Sequence, residues 1–162
     1  MEYTHIEHGF SPVFDEHSRV LILGSLPSVQ SRENGFYYGH PQNRFWRVLA
    51  RVLCVPVPQS VEEKQAMLLA NGIALWDVIA ACDIAGSSDA SIRHVIPNDL
   101  SRILERCPIE NLYANGTAAA KIYNRYQKER TGREIVRLPS TSPANAAWNF
   151  DRLCDAWNVI WL

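Results

Sequence analysis

Lysine is scarce in this chain. Of its 16 basic residues only Lys64, Lys121 and Lys128 are lysines, so contact with an anionic partner falls mainly to arginine. The net charge of −1 supplies no overall cationic surface for nucleic acid, although local charge can depart from the sum. Cysteine is sparse as well. Cys54, Cys82, Cys107 and Cys154 stand far apart without a C-x-x-C pair, which argues against a zinc or iron–sulfur centre and for four reduced, partly buried thiols. No apolar run approaches the length that crosses a bilayer, and Met1-Glu2-Tyr3-Thr4-His5 has no signal-peptide pattern, so the expected compartment is the cytoplasm. The five histidines, His5, His8, His17, His40 and His94, show neither H-x-x-x-H nor Ser-His-Asp spacing. Metalloprotease and serine-hydrolase readings are therefore unsupported, and only His40 falls in a candidate site.

What remains is an ordinary globular composition. With 162 residues, 47% apolar and 20% charged, the chain is expected to form one domain over residues 1–162 and to be a monomer. Repeats and low-complexity segments are absent.

The run Arg19-Val20-Leu21-Ile22-Leu23-Gly24 has the continuous apolar character of a strand buried on both faces. A long loop follows from Ser25 to Gln42, ordered by Phe36, Tyr37 and Tyr38. From Asn43 the pattern is helical, with Phe45, Val48, Leu49 and Val52 on one face and Arg44, Arg47 and Arg51 on another, until Pro56 and Pro58 end it. Ser60-Val61-Glu62-Glu63 opens a second helix with a capping box, which stops near Asn71-Gly72. Ile73 to Trp76 is a strand leading into Asp77, and Cys82 to Ser91 reads as a loop. Pro97 to Arg106 is predicted helical, Ile109 to Ala114 a strand, Thr117 to Glu129 a helix and Glu134 to Leu138 a strand. After a tight loop from Pro139 to Pro143, a last helix from Ala144 to Trp157 turns Ala147, Phe150, Leu153, Cys154 and Trp157 inward. Strands alternating with helices predict an α/β fold, a three-layer α/β/α sandwich around a central, mostly parallel four-stranded sheet.

In such sheets ligands bind beyond the carboxyl ends of the strands. The unusual residues of the chain collect there. Gly24-Ser25-Leu26-Pro27-Ser28 is a turn whose glycine allows close approach of a ligand, but no G-K-[ST] follows to make it a P-loop. Tyr38 either packs its loop or stacks on a base, and Asn43 either caps a helix or turns to a ligand. Asp77 is either a turn residue or a carboxylate that orients water. Asn115-Gly116-Thr117 caps a helix or offers an amide to a base edge. In Leu138-Pro139-Ser140-Thr141-Ser142-Pro143-Ala144, Ser142 fits an N-cap and Pro143 the first helical position, and the hydroxyls also suit a phosphate.

The run Gly35-Phe36-Tyr37-Tyr38-Gly39-His40-Pro41-Gln42-Asn43-Arg44-Phe45-Trp46 resembles the G-F-x-F-A-H-P-x-N-R-F-W run of mismatch-specific uracil/thymine glycosylases. Gly24-Ser25-Leu26-Pro27-Ser28 sits where that group has G-x-N-P-G, and Leu138-Pro139-Ser140-Thr141-Ser142-Pro143 where the uracil-DNA glycosylase superfamily has its [H/N]-P-S-x-x-S loop. Two departures matter: Leu26 replaces a catalytic asparagine, and Leu138 replaces a histidine or asparagine. Together with Ser28-Val29-Gln30-Ser31-Arg32-Glu33 and Asn115-Gly116, they are similar to the hypoxanthine-DNA glycosylase branch.

The resemblance implies hydrolysis of the bond between a deaminated base, hypoxanthine first, and deoxyribose in DNA, without cofactor, metal or membrane. It implies Asn43 as the principal catalytic residue, assisted by Asp77. Tyr38 would stack on the base, Asn115 hold its edge, and Ser25 and Leu26 line its pocket. Ser28, His40, Arg44, Ser140, Ser142 and Pro143 would face the DNA, with Ala144 near the vacated stack. No lysine lies in a motif, so no Schiff-base lyase step is expected. Three alternatives stand beside this reading: a uracil or mismatch glycosylase, a non-catalytic damaged-DNA binder suggested by Leu26 and Leu138, and a nucleoside hydrolase suggested by the near-neutral charge.

Overall fold

Every residue of Val20-Leu21-Ile22-Leu23-Gly24 is buried, as a strand covered on both faces must be. In the computed structural model, which describes residues 2–26, 31, 33 and 35–160, this strand lies inside a parallel four-stranded sheet. In chain order the elements are β1 (Thr4–Glu7), β2 (Val20–Gly24), α1 (Phe45–Leu53), α2 (Val61–Ala70), β3 (Ile73–Asp77), β4 (Ile79–Ile84) and β5 (Arg93–Pro97). There follow α3 (Ser101–Leu104), β6 (Asn111–Asn115), α4 (Thr117–Tyr126), α5 (Lys128–Thr131), β7 (Ile135–Leu138) and α6 (Phe150–Trp157), with short 3-10 turns at Asp89–Ser91 and Asn158–Ile160. The parallel sheet has the order β3-β2-β6-β7, so Gly24, Asp77, Asn115 and Leu138 end neighbouring strands on one side of the molecule. Helices pack on it: α2 against β3, α4 against β6 and β7, and α1 against α6. This is the expected sandwich.

The local rules hold well at α1 and α2. Phe45, Val48, Leu49 and Val52 are all buried, while Arg47 and Arg51 face solvent. At α2 the Ser60 side chain accepts from Glu63 N and the Glu63 carboxylate accepts from Ser60 N, a capping box worth about 1 kcal/mol.

Elsewhere tertiary pairing overrides local pattern. The segment expected as a loop from Cys82 begins inside β4, which joins β1 and β5 in an antiparallel sheet ordered β1-β4-β5. Its Ala80-Ala81-Cys82 stretch has little intrinsic strand preference and is held by partners remote in sequence. Pro97 closes β5 rather than opening a helix, and only Ser101–Leu104 is helical, started by the Asp99 side chain accepting from Ser101 N. The helix expected from Thr117 to Glu129 breaks at Gln127, whose buried side chain donates to the Asn98 carbonyl.

The last helix is shorter than expected and begins at Phe150, because Asn149 caps it by accepting from Arg152 N. Ser142 is therefore not its cap, nor Pro143 its first residue. The Ser142 hydroxyl instead accepts from Ala144 N in a turn. Leu153, Cys154 and Trp157 face inward, but Phe150 is only half-buried and Ala147 is exposed.

The N-terminal segment had no expected role, and it organises one edge of the fold. Val13 and Leu75 exchange backbone hydrogen bonds in an isolated antiparallel bridge that covers the outer edge of β3. Running antiparallel to β3 from that bridge, the chain brings His8 alongside Asp77.

In the second sheet, Asp83 is flanked by two imidazoles: His5 Nδ1 lies 3.0 Å from one carboxylate oxygen and His94 Nδ1 2.7 Å from the other. The Asp83 bond holds the His5 pKa above its ordinary 6.5, and the bonds from His94 and then His5 hold Asp83 below its ordinary 3.8. The His5 contribution to stability is present below pH 6.5 and is lost as pH rises through its raised folded value. The Asp83 contribution is present above pH 3.8 and is lost as pH falls through its lowered one. Asp83→Asn is accordingly expected to lower the thermal midpoint more at about pH 5.5 than at about pH 8. Melting curves at the two pH values check this, and an equal loss at both would contradict it.

Candidate functional site

The carboxyl ends of the parallel strands open onto a cleft of about 1240 Å³. Ser25, Leu26, Tyr38, His40, Asn43, Asp77, Asn115, Ser140, Ser142 and Pro143 all line it, so residues far apart in sequence share one wall system. Of the expected site residues, Ser28 lies outside the described residues. Arg44 does not line the cleft. Its guanidinium donates to the carbonyls of Trp148, Ser142 (3.0 Å) and Asn145 (3.2 Å), so it is turned into the loop ahead of α6 instead of toward a phosphate.

Thr141, a residue the sequence did not single out, ties the two asparagines together. It is fully buried. Its hydroxyl donates to Asn43 Oδ1 at 2.9 Å and accepts from Asn115 Nδ2 at 3.0 Å, while its backbone N–H donates to Asn115 Oδ1 at 3.1 Å. Its carbonyl accepts from Arg44 N at 3.1 Å. Asn43 Oδ1 also accepts from Phe45 N at 2.9 Å, so both of its lone pairs are used, and among the described residues nothing accepts from its Nδ2 hydrogens. Asn115 spends one acceptor and one donor on Thr141, and its remaining amide groups lie beside the Tyr38 hydroxyl at the cleft. Both asparagines are thus oriented by the fold before any ligand arrives.

The other walls are a ring and a carboxylate. Tyr38 has a left-handed backbone (φ 53°), and its ring stacks on Phe45 at 4.0 Å and 21°. The half-buried ring lines the cleft. Its hydroxyl is buried beside Asp77 and Asn115 without a well-formed hydrogen bond. Burial first, and then the Asp77 charge, push its ionisation far above that of free tyrosine, so it stays a neutral hydroxyl.

Asp77 is buried at the end of β3, where His8 Nε2 meets its Oδ2 at 2.7 Å. His8 belongs to the site although only His40 was expected there. The two residues are 69 positions apart, and nothing local signals their meeting. Leu138 is buried in the core, so its side chain brings no polar group to the end of β7. Ser140 and Ser142 are engaged in turns: the Ser140 hydroxyl accepts from Ser142 N at 3.1 Å, and its carbonyl from Asn145 Nδ2. The cleft is also lined by Lys121, Arg125 and Arg137, which gives it a local cationic side despite the chain's net charge. Lys121 falls in none of the motifs read from the sequence.

With this geometry in hand, comparison with known proteins is informative. The family model described as the uracil DNA glycosylase superfamily matches residues 11–161. A protein of Methanosarcina acetivorans named hypoxanthine DNA glycosylase is 35% identical over 156 residues, covering 96% of this chain and 98% of the relative. A protein of Methanosarcina barkeri with the same name is 38% identical over 104 residues, 63% of this chain and 65% of its own. A solution NMR structure of a Methanosarcina acetivorans protein, described as a candidate uracil DNA glycosylase, superposes with a TM-score of 0.82 at 34% identity. That superposition covers 98% of this chain and 97% of the other.

Thr141→Val keeps the side-chain shape and removes the hydroxyl, leaving Asn43 Oδ1 and Asn115 Nδ2 each short of a partner. The expected loss in denaturant unfolding is about 1–3 kcal/mol. Thr141→Ser, which retains the hydroxyl, is expected to lose about 1 kcal/mol for the missing methyl. Equal losses in the two variants would contradict the bridging role.

Proposed function

Because the chain belongs to the uracil DNA glycosylase superfamily, we propose that it hydrolyses the N-glycosidic bond of a deaminated base in DNA, with hypoxanthine as the principal base released. The observation that carries this reading is that Tyr38, Asn43, Asp77 and Asn115 line one cleft, with both amides held in fixed orientation by Thr141. The damaged nucleotide is turned out of the duplex, at a cost of a few kcal/mol that a poorly paired base reduces. Tyr38, backed by Phe45, offers its other face for stacking. Asn115, through its remaining amide groups at the cleft, matches the N1–H and O6 edge of hypoxanthine. Uracil presents the same pair of groups, which makes it the second substrate to test.

Asn43 directs N–H donors at the reacting region. An uncharged amide is no strong base, so its part is to orient water or stabilise charge on the departing base. The Asp77 carboxylate favours the cationic sugar that forms as the bond breaks. Ser25 and Leu26 line the base pocket, His40, Ser140, Ser142 and Pro143 face the flanking nucleotides, and Lys121, Arg125 and Arg137 supply positive charge. We infer a monofunctional, monomeric hydrolase without cofactor. Lys121 sits on the exposed surface of α4 and lies in none of the strand-end motifs.

A duplex with one deoxyinosine, followed by alkaline cleavage at the abasic site, tests the reading. Strand breakage is expected with wild type and should fall about 100-fold in single turnover for Asn43→Ala, with duplex affinity little changed. Binding without base release would indicate a damage-binding protein, and turnover of free deoxyinosine a nucleoside hydrolase. A DNA adduct trapped by borohydride would overturn the monofunctional assignment.

A further inference from the structure

We propose that His8 is a positioning residue for Asp77, holding one carboxylate oxygen so that the other is presented to the reaction. The assignment rests on the glycosylase reading above and names a residue that none of the motifs contains. Both side chains are nearly sealed, at 2% and 4% exposure, and meet at 2.7 Å. Phe10 N lies 3.1 Å from His8 Nδ1. A backbone N–H can only donate, so Nδ1 is the acceptor and the imidazole proton resides on Nε2, pointing at Asp77 Oδ2. The ring is steadied by Phe10, edge-on at 5.6 Å, and by Tyr37 at 5.9 Å, whose own hydroxyl donates to the Ser11 carbonyl.

The second oxygen of Asp77 is placed by what surrounds it. A methyl group on Gly24 would stand 2.4 Å from Asp77 Oδ1 and 2.7 Å from the Tyr38 hydroxyl. Glycine is therefore required there to admit both oxygens, and the two converge over the end of β2 at the wall of the cleft. Among the described residues no side chain donates to Oδ1. A carboxylate with one oxygen tied and the other without a side-chain donor among the described residues has a single direction in which to accept a hydrogen bond from water or to face a sugar cation. His8 sets that direction and, as a neutral donor, leaves the negative charge on Asp77, in the way a third group orients a catalytic pair in hydrolases.

The test combines single-turnover excision from a deoxyinosine duplex with affinity for a duplex carrying cleavage-resistant 2′-fluoro-deoxyinosine. His8→Ala is expected to slow excision at least about 10-fold while affinity stays within about twofold, since misplacing a catalytic group costs rate before binding. His8→Gln, which can return an N–H to Oδ2, should recover most of the rate. His8→Ala combined with Asp77→Asn should be no slower than Asp77→Asn alone, because the two residues act as one unit. An active wild type with an unslowed His8→Ala overturns the assignment alone. So do equal losses in His8→Ala and His8→Gln, which mark a structural clasp, and rate losses that multiply in the double variant. A wild type inert on every deaminated-base duplex overturns the glycosylase reading as well. Proton–nitrogen NMR of the wild type checks the tautomer independently of any variant's folding: the proton is expected on Nε2, and a proton on Nδ1 overturns the proposal.

Discussion

The site depends on one buried hydroxyl. Thr141 sits where the loop after β7 meets the entrance to α1 and the end of β6, and its side chain bonds to an asparagine from each. Buried hydrogen bonds add modestly to stability when made and cost far more when one partner is left unsatisfied. That asymmetry makes the three-residue arrangement nearly all-or-none. The same loop is gripped from the other side by Arg44, whose guanidinium binds three of its carbonyls. The connection between β7 and α6, residues 139–149, is thereby given the rigidity of an element, and the residues it carries keep fixed relations to Asn43 and Asn115.

Charge is handled with similar economy. Among the strand-end residues Asp77 is the one that carries full charge, and its neighbours are neutral. His8 faces it as an uncharged donor, and Tyr38 is kept protonated by its burial and by Asp77 itself. In a poorly solvated wall an unscreened carboxylate acts strongly on any positive charge that develops nearby. The cations Lys121, Arg125 and Arg137 are exposed and line the cleft, where they act on an incoming polyanion, and none of them forms an ion pair with Asp77 among the described residues.

Much of this was legible in the sequence, and the boundary is physical. β2 announces itself because a strand buried on both faces must be apolar throughout, and β3 is nearly so up to Asp77. The strand ends followed, and with them Asp77, Asn115 and the loop after Leu138. The second sheet was not legible, because Ala80-Ala81-Cys82 becomes a strand only through partners supplied by β1 and β5. The start of α6 was misplaced because Ser142-Pro143 and Asn149 are both good helix openers, and choosing between them needs the tertiary path of the loop. Arg44 was expected to face the DNA from the resemblance of the run around His40-Pro41, yet its own side chain is absorbed by a loop about a hundred positions away. His8 and Thr141 were overlooked for the same reason: each acts across a long sequence separation.

That scatter bears on the order in which the molecule comes together. Val13 fastens the leading segment to β3 by one bridge, β1 is paired with β4, and His8 lies between these two attachments. Residue 8 must wait for residue 77, and residue 43 for residue 141, before the cleft has its walls. Contacts spanning such long loops are late to close, because the entropy of closing them must be met before they give anything back. Chemical competence therefore arrives only with the long-range architecture itself, since the pairings of β2 with β3 and β6 span separations of the same order as those that wall the cleft.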